Sequence, residues 1–249
     1  VEEQLTQSCK NCGAKSQGNY CSVCGQRTSV YKVTFKETFQ DLAANLFVIN
    51  APLLITIRDM IVRPGTLLRS YLNGKRRTYY RPVSFFILMT VLYIVIRSLI
   101  GFDPFRNSMI VVEEGDIDAS LLTEARNYML MNINNFLFVF VFTLALFMKL
   151  FFYKKYSLAE FLAISFYLLG MYTIIVTLNM FLVQSFGDQF QPIGILVMWV
   201  YFLFAMISLF QMKYFFVIIK SFFLFILAFM TYAMSSYAIS YLIVSLRQG

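Results

Sequence analysis

From residue 83 onward the chain is built of apolar runs too long for the core of a globular domain. "VSFFILMTVLYIVIRSLIGF" starts at Val83 and "FLFVFVFTLALFMKLFF" at Phe136. A third run extends from about Leu158 to Val183, a fourth from Ile193 to about Phe210, and a fifth from about Tyr214 to Leu246, interrupted only by Lys220. About 20 mostly apolar residues in a helix cross a bilayer core, so the pattern predicts five transmembrane helices. No turn signal divides the last run, which argues against a sixth.

Ahead of the first span the pattern changes to a helical alternation of apolar and polar positions. Thr34 with Glu37 forms a capping-box start, and Phe35, Phe39, Leu42, Leu46 and Ile49 then recur at helical spacing opposite Lys36, Gln40, Asp41 and Asn45. Pro52 opens a second stretch, with Leu53, Leu54, Ile57 and Ile61 apolar and Arg58, Asp59 and Arg63 polar. "RPGT" at 63–66 breaks it, and a short helix from Leu67 to Leu72 stops at Asn73-Gly74, a favoured C-terminal cap. Such helices either lie in the membrane interface, apolar face in the lipid, or pack against the end of the bundle. The pattern alone allows both.

Composition agrees with a membrane protein. Of the 249 residues, 59% are hydrophobic and only 14% charged, too few to clothe a soluble domain of this length. The chain contains no histidine, which removes imidazole general bases, Ser-His and Cys-His catalysis, and metal sites built on imidazole. The start "VEEQLTQSCK" lacks the basic and apolar regions of a signal peptide.

Charge is unevenly spread. Residues 1–81 carry twelve Lys or Arg against five acids, and the segment 101–133 carries six acids against Arg106 and Arg126. The positive-inside rule accounts for this without a nucleic-acid partner. Lys75, Arg76, Arg77 and Arg81 before the first span, Lys154 and Lys155 after the second, and Lys213 and Lys220 at the fourth turn all fall on one side when the helices alternate. That side is expected to be cytoplasmic, with the N-terminus. The acidic segment 101–133, read as a loop, and the C-terminus then lie outside.

All four cysteines stand in two CxxC pairs, Cys9-x2-Cys12 and Cys21-x2-Cys24, each followed by a glycine, Gly13 or Gly25. Four thiolates are the ligand set of a closed tetrahedral zinc site, and a glycine after each knuckle suits a backbone that needs positive φ. The cytoplasmic side would keep the thiols reduced. Two very short strands are expected to flank the turn "SQGN". Iron of the rubredoxin type uses the same four sulfurs, so spacing does not exclude it. Four protein ligands leave no open position for water or substrate, which points away from catalysis and towards a clip that folds residues too few for a core of their own.

The segment "NGKRRTYYRP" is a second candidate site. Lys75, Arg76, Arg77 and Arg81 would contact anionic lipid or a partner, with Tyr79 and Tyr80 as anchors at headgroup level. Within the spans charge is nearly absent. Arg97 and Lys149 lie near span ends, and Glu160 opens the third span within reach of Lys154 or Lys155. No acid stands mid-span, which argues against a proton- or sodium-coupled carrier. Tyr232, Ser236 and Ser240 form a polar face on the last span, read first as helix packing through a small-xxx-small pair and second as one wall of a substrate groove.

The order of these features resembles a family of bacterial membrane proteins known only as a domain of unknown function. The residues that carry the resemblance are Cys9, Cys12, Cys21 and Cys24, then Arg63, Pro64, Gly65, Tyr71, Leu72, Gly74, Lys75, Arg76 and Pro82. The resemblance implies a bacterial inner-membrane location and a cytoplasmic ribbon, and no activity. The expected architecture is an all-α bundle of five spans (83–249), an amphipathic and basic segment (31–82) and a four-cysteine zinc ribbon (1–30). The function expected is a non-enzymatic scaffold or accessory subunit of a membrane complex, docking lipid or a protein partner through the ribbon. The alternative is a transporter or flippase of a lipid or amphipathic molecule.

Overall fold

All five apolar runs are helices. The computed structural model describes residues 7–29, 32–35, 51–102 and 117–248. Its elements are strands β1 (Gln7–Ser8) and β2 (Lys15–Ser16), and helices α1 (Ala51–Val62), α2 (Pro64–Leu72), α3 (Pro82–Ile100), α4 (Ile117–Met131), α5 (Ile133–Phe151), α6 (Leu158–Phe186), α7 (Gln191–Phe210) and α8 (Tyr214–Gln248). A 3₁₀ turn, Asp188–Phe190, precedes α7. Helices α3, α5, α6, α7 and α8 are long and apolar enough to cross a membrane. The amphipathic helix expected from Thr34 to Ile49 lies outside the described residues beyond Phe35.

Helix α6 is the axis of the bundle. Every residue from Ala159 to Met171 is buried, the mark of a helix surrounded by protein on all sides. It packs on α3, α5 and α7, while α8 closes the other side against α5 and α7. Its first turn is fixed by a complete capping box, in which Ser157 N donates to Glu160 Oε2 at 2.7 Å and Glu160 N to Ser157 Oγ at 3.2 Å. Glu160 was expected near Lys154 or Lys155. The backbone takes its carboxylate instead, because an N-cap amide lies closer than either flexible ammonium.

The acidic segment, expected to be a loop over 101–133, is not all loop: α4 occupies its second half and packs along α8. Tyr237 Oη donates to Leu122 O at 3.2 Å, and the Arg247 guanidinium sits 5.1 Å from the Tyr128 ring centre. With 35 residues, α8 is roughly 50 Å long, more than a bilayer core needs, and its far end offers α4 a surface. The acids that fall in 103–116 lie outside the described residues.

"RPGT", expected to break the helices over four residues, interrupts them at a single one. Arg63 is the N-cap of α2, and Pro64 and Gly65 are already helical. Proline at the first helical position lacks an N–H that would have had no helical partner anyway. At its other end α2 stops as expected in a Schellman turn, where Gly74 N donates to Tyr71 O at 3.0 Å and Lys75 N to Ser70 O at 2.9 Å, with Gly74 at φ 107°.

Helices α1 and α2 pack on the bundle and also keep an apolar face outside it. Met60, Leu67 and Leu68 are fully buried, whereas Leu54, Ile61 and Val62 are exposed. Helix α2 crosses the end of α7 at van der Waals distance. Gly65 N donates to Ser208 Oγ at 3.2 Å, and the Arg69 guanidinium donates to the carbonyls of Ser208 and Leu209. Those are C-terminal carbonyls of α7 with no partner further along the helix, so Arg69 caps a membrane helix from a neighbouring element. Around this end the remaining termini gather: Phe152 stacks on Phe210 at 4.0 Å, and Lys220 Nζ donates to Phe151 O at 3.5 Å.

Candidate metal centre

The cysteines form two copies of one small structure. In the first, Cys9 N donates to Ala14 O at 2.9 Å and Gly13 N to Cys9 O at 2.8 Å; in the second, Cys21 N donates to Gln26 O and Gly25 N to Cys21 O, both at 2.8 Å. Gly13 and Gly25 take φ of 79° and 67°, the left-handed region that side chains disfavour. Each knuckle is bracketed by a β pairing. Gln7 and Ser8 pair with Ser16 and Lys15 around the first, and Tyr20 bridges Arg27 around the second. The strands therefore embrace the knuckles and do not flank "SQGN" as expected, since closing each loop on its own sulfurs needs only local hydrogen bonds.

The four Sγ atoms lie within 4.8 Å of one another. Cys9 to Cys24 and Cys12 to Cys21 are both 3.6 Å, far beyond a disulfide bond. This is close to the roughly 3.8 Å between sulfurs placed tetrahedrally at ~2.3 Å from one ion. Backbone N–H groups of Cys24 and Val23 pull the Cys21 thiol down to about 6, and the N–H groups of Cys12 and Asn11 lower that of Cys9 against the effect of burial. Cys12 goes the other way: although the Ala14 N–H favours its thiolate, burial and the three neighbouring sulfurs push it up to about 12. Four sulfurs this close cannot all ionise unless a cation sits among them. The group fits a metal ion.

What the cluster is attached to was not legible in the motif. Each knuckle extends one side-chain amide to the turn after α2. Gln26, 6% exposed, donates through Nε2 to Gly74 O at 2.8 Å and accepts at Oε1 from Arg76 N at 3.2 Å and Arg77 N at 3.1 Å. Asn11, between Cys9 and Cys12, accepts at Oδ1 from Thr78 N at 3.2 Å and Thr78 Oγ1 at 2.7 Å. The Arg77 guanidinium lies over the second knuckle, its carbon 3.5 Å from where a Cβ on Gly25 would stand. Two amides thus hold the backbone of residues 74–78 in place.

That turn is tied to the bundle in its own right. Tyr80 N donates to Thr56 Oγ1 of α1 at 2.8 Å, and Tyr167 Oη of α6 donates to Tyr80 O. Tyr167 is roughly two and a half turns inside α6, so non-helical backbone enters the depth of the spans. Such backbone survives there only where protein satisfies its polar groups, and Thr56 and Tyr167 do so. Tyr79 and Tyr80, expected at headgroup level, are buried in protein. Tyr79 Oη donates to Asp59 Oδ2 at 3.3 Å. Lys75 and Arg77 remain exposed, and Arg76 and Arg81 are partly covered. On α8, Tyr232 leans on Phe140 with ring centres 4.9 Å apart, and Ser236 and Ser240 are buried, Ser240 Oγ donating to Ser236 O at 2.8 Å.

Asp59 is the second polar centre of this module. Its carboxylate, 2% exposed, accepts from Arg58 Nε at 2.9 Å and Nη2 at 2.8 Å, and from Arg63 Nη2 at 3.2 Å. Burial pushes the carboxyl up, but the two guanidiniums outweigh it and hold the group below the usual carboxylate range. A depressed folded value contributes stability above the unfolded value of about 4, and that stability is lost as pH falls through the folded value. Thermal unfolding in detergent should therefore be flat near neutrality and drop below about pH 4. Asp59→Asn should flatten that drop while lowering stability at neutral pH by on the order of 2 kcal/mol, less than a fully buried pair because both guanidiniums are partly exposed. An unchanged acid profile in Asp59→Asn would contradict the assignment.

The docking contacts carry their own expectation. Gln26→Ala removes three hydrogen bonds and leaves Gly74 O and two amides to find other partners. At about 1 kcal/mol each this weakens the attachment by roughly 2–3 kcal/mol. Hydrogen exchange at the amides of Arg76 and Arg77 should then run faster in the Gln26→Ala protein than in the wild type.

Residues 52–94 are similar to a family described as "Protein of unknown function (DUF3667)", whose model they match. No curated protein and no solved structure matches the chain. The matched stretch runs from α1 through the gripped turn and into α3, so the family likeness falls on the segment that Gln26 and Asn11 of the four-cysteine ribbon contact.

Proposed function

We propose that this chain is a non-enzymatic multi-pass membrane scaffold, an accessory subunit of a membrane complex, whose ribbon binds zinc and locks the α1–α2 module onto the bundle. The observation that carries the reading is the paired grip of Gln26 and Asn11 on residues 74–78. A closed four-thiolate site offers structure and no vacant coordination position for chemistry. The ribbon end is the cytoplasmic face, because Arg58, Arg63, Arg69, Lys75 and Arg77 collect there with Lys220 and the end of α5. Zinc is preferred to iron because two knuckles in a reduced compartment need no redox change to hold a structural ion.

Affinity purification of the full chain in mild detergent, beside a deletion of residues 1–30, tests the scaffold. A stoichiometric membrane partner that the deletion loses is the expected result. Recovery of the chain alone in both cases, together with lipid or amphiphile movement in proteoliposomes, would favour a transporter.

A further inference from the structure

The exposed face of α1 combines features that a water-facing helix would not. Leu54, Arg58, Ile61 and Val62 recur at the spacing of one helical stripe, and the three apolar members are 65%, 55% and 67% exposed. The opposite face is buried on the bundle through Leu53, Thr56, Asp59 and Met60. Met60 O accepts from Tyr201 Oη at 3.0 Å, which sets this end of α1 beside a membrane span. An apolar stripe at that position faces acyl chains.

Charge adds the second half. Asp59 is the single acid in residues 51–72, against Arg58, Arg63 and Arg69. Arg69 is used on the carbonyls of α7. Arg58 and Arg63 share Asp59, so the cluster keeps a net positive charge, and their side chains are 63% and 54% exposed. The shared carboxylate fixes both guanidiniums side by side at the edge of the apolar stripe. A guanidinium retains further N–H donors in fork geometry after one such pairing, and that geometry suits phosphate oxygens.

We propose that Arg58 and Arg63, positioned by Asp59, bind the phosphate of an anionic phospholipid whose acyl chains lie along Leu54, Ile61 and Val62. The site is distinct from the basic turn at 75–77, whose backbone is held by the ribbon. It requires a membrane-embedded chain and does not depend on a scaffold role.

The test is native mass spectrometry of the full chain released from nanodiscs of phosphatidylcholine containing a minor share of phosphatidylglycerol. The wild type should retain phosphatidylglycerol with an enrichment of about fivefold or more, the effect of roughly one basic group near an anionic surface. R58Q/R63Q should lose that enrichment, and K75Q/R77Q should keep it. If the orphaned Asp59 unfolds the double variant, R58Q/D59N/R63Q removes the buried charge and should show the same loss. Enrichment that survives the arginine variants, or that follows Lys75 and Arg77, would overturn the proposal. Displacement of the lipid by millimolar inorganic phosphate would mean a free-anion site and would overturn it equally.

Discussion

Cys21→Ser is expected to abolish metal binding and to detach the ribbon from the membrane module in one step. The wild type should hold about one zinc per chain, and the variant none. The ribbon spans too few residues to bury a core of its own, so its folding should draw on a bound ion, worth about 10 kcal/mol or more in small structural sites. Only a folded pair of knuckles can aim Gln26 and Asn11 at the same turn, since the two amides sit on different knuckles and reach residues 74–78 together. Losing one thiolate therefore loses every docking hydrogen bond at once, and chelation of the wild type should reproduce the variant. The membrane spans should remain folded, because their packing, centred on α6, does not pass through the ribbon. Retention of zinc by Cys21→Ser would refute the ligand assignment, and iron with visible colour would refute the choice of metal.

Gly65→Ala should be nearly as damaging, although it adds a single methyl group. A Cβ at this position would stand 2.1 Å from Ser208 C, 2.2 Å from Ser208 O and 2.4 Å from Leu209 N. These are backbone atoms of a membrane helix and cannot rotate away like the tip of a side chain. Overpacking ordinarily costs about 1–3 kcal/mol and more where backbone must shift, so a loss of roughly 3 kcal/mol or more is expected for the α2–α7 contact. The displacement would also pull Arg69 from the carbonyls of Ser208 and Leu209, leaving the end of α7 uncapped. Thermal unfolding in detergent reads the loss. Ser208→Gly, which withdraws a side chain from the crossing and leaves its backbone, should not restore stability. Wild-type stability in Gly65→Ala would show that the two helices do not meet this closely.

The five spans, the four-sulfur cluster and the glycine cap of α2 were legible in the sequence because each rests on a local pattern. An apolar run, a CxxCG repeat or an Asn-Gly pair reports its structure within a few residues. Helix α4 was hidden because Asp118, Glu124 and Arg126 interrupt its apolar positions, and its stability comes from the overlong end of α8. The start of α2 was misplaced because Pro64 and Gly65 read as breakers, although one suits a first helical position and the other a close crossing. Gln26 and Asn11 carried no signal. Each is an ordinary polar residue in a polar stretch, and its partners lie 48 to 67 residues away. The choice between a lipid-facing and a bundle-packed α1 had no sequence answer because the helix buries Leu53, Thr56 and Met60 on the bundle and leaves Leu54, Ile61 and Val62 exposed on its other face.

The central claim is that the metal ribbon holds the membrane module of its own chain. Hydrogen exchange over residues 74–80 of the full chain in nanodiscs, before and after chelation, tests it most directly. The amides of Arg76, Arg77 and Thr78 donate to Gln26 and Asn11 in the docked state. Slow exchange with metal bound, and fast exchange after chelation or in an N11A/Q26A variant, is the predicted result. Equal exchange in all three samples would show that the ribbon does not hold this turn.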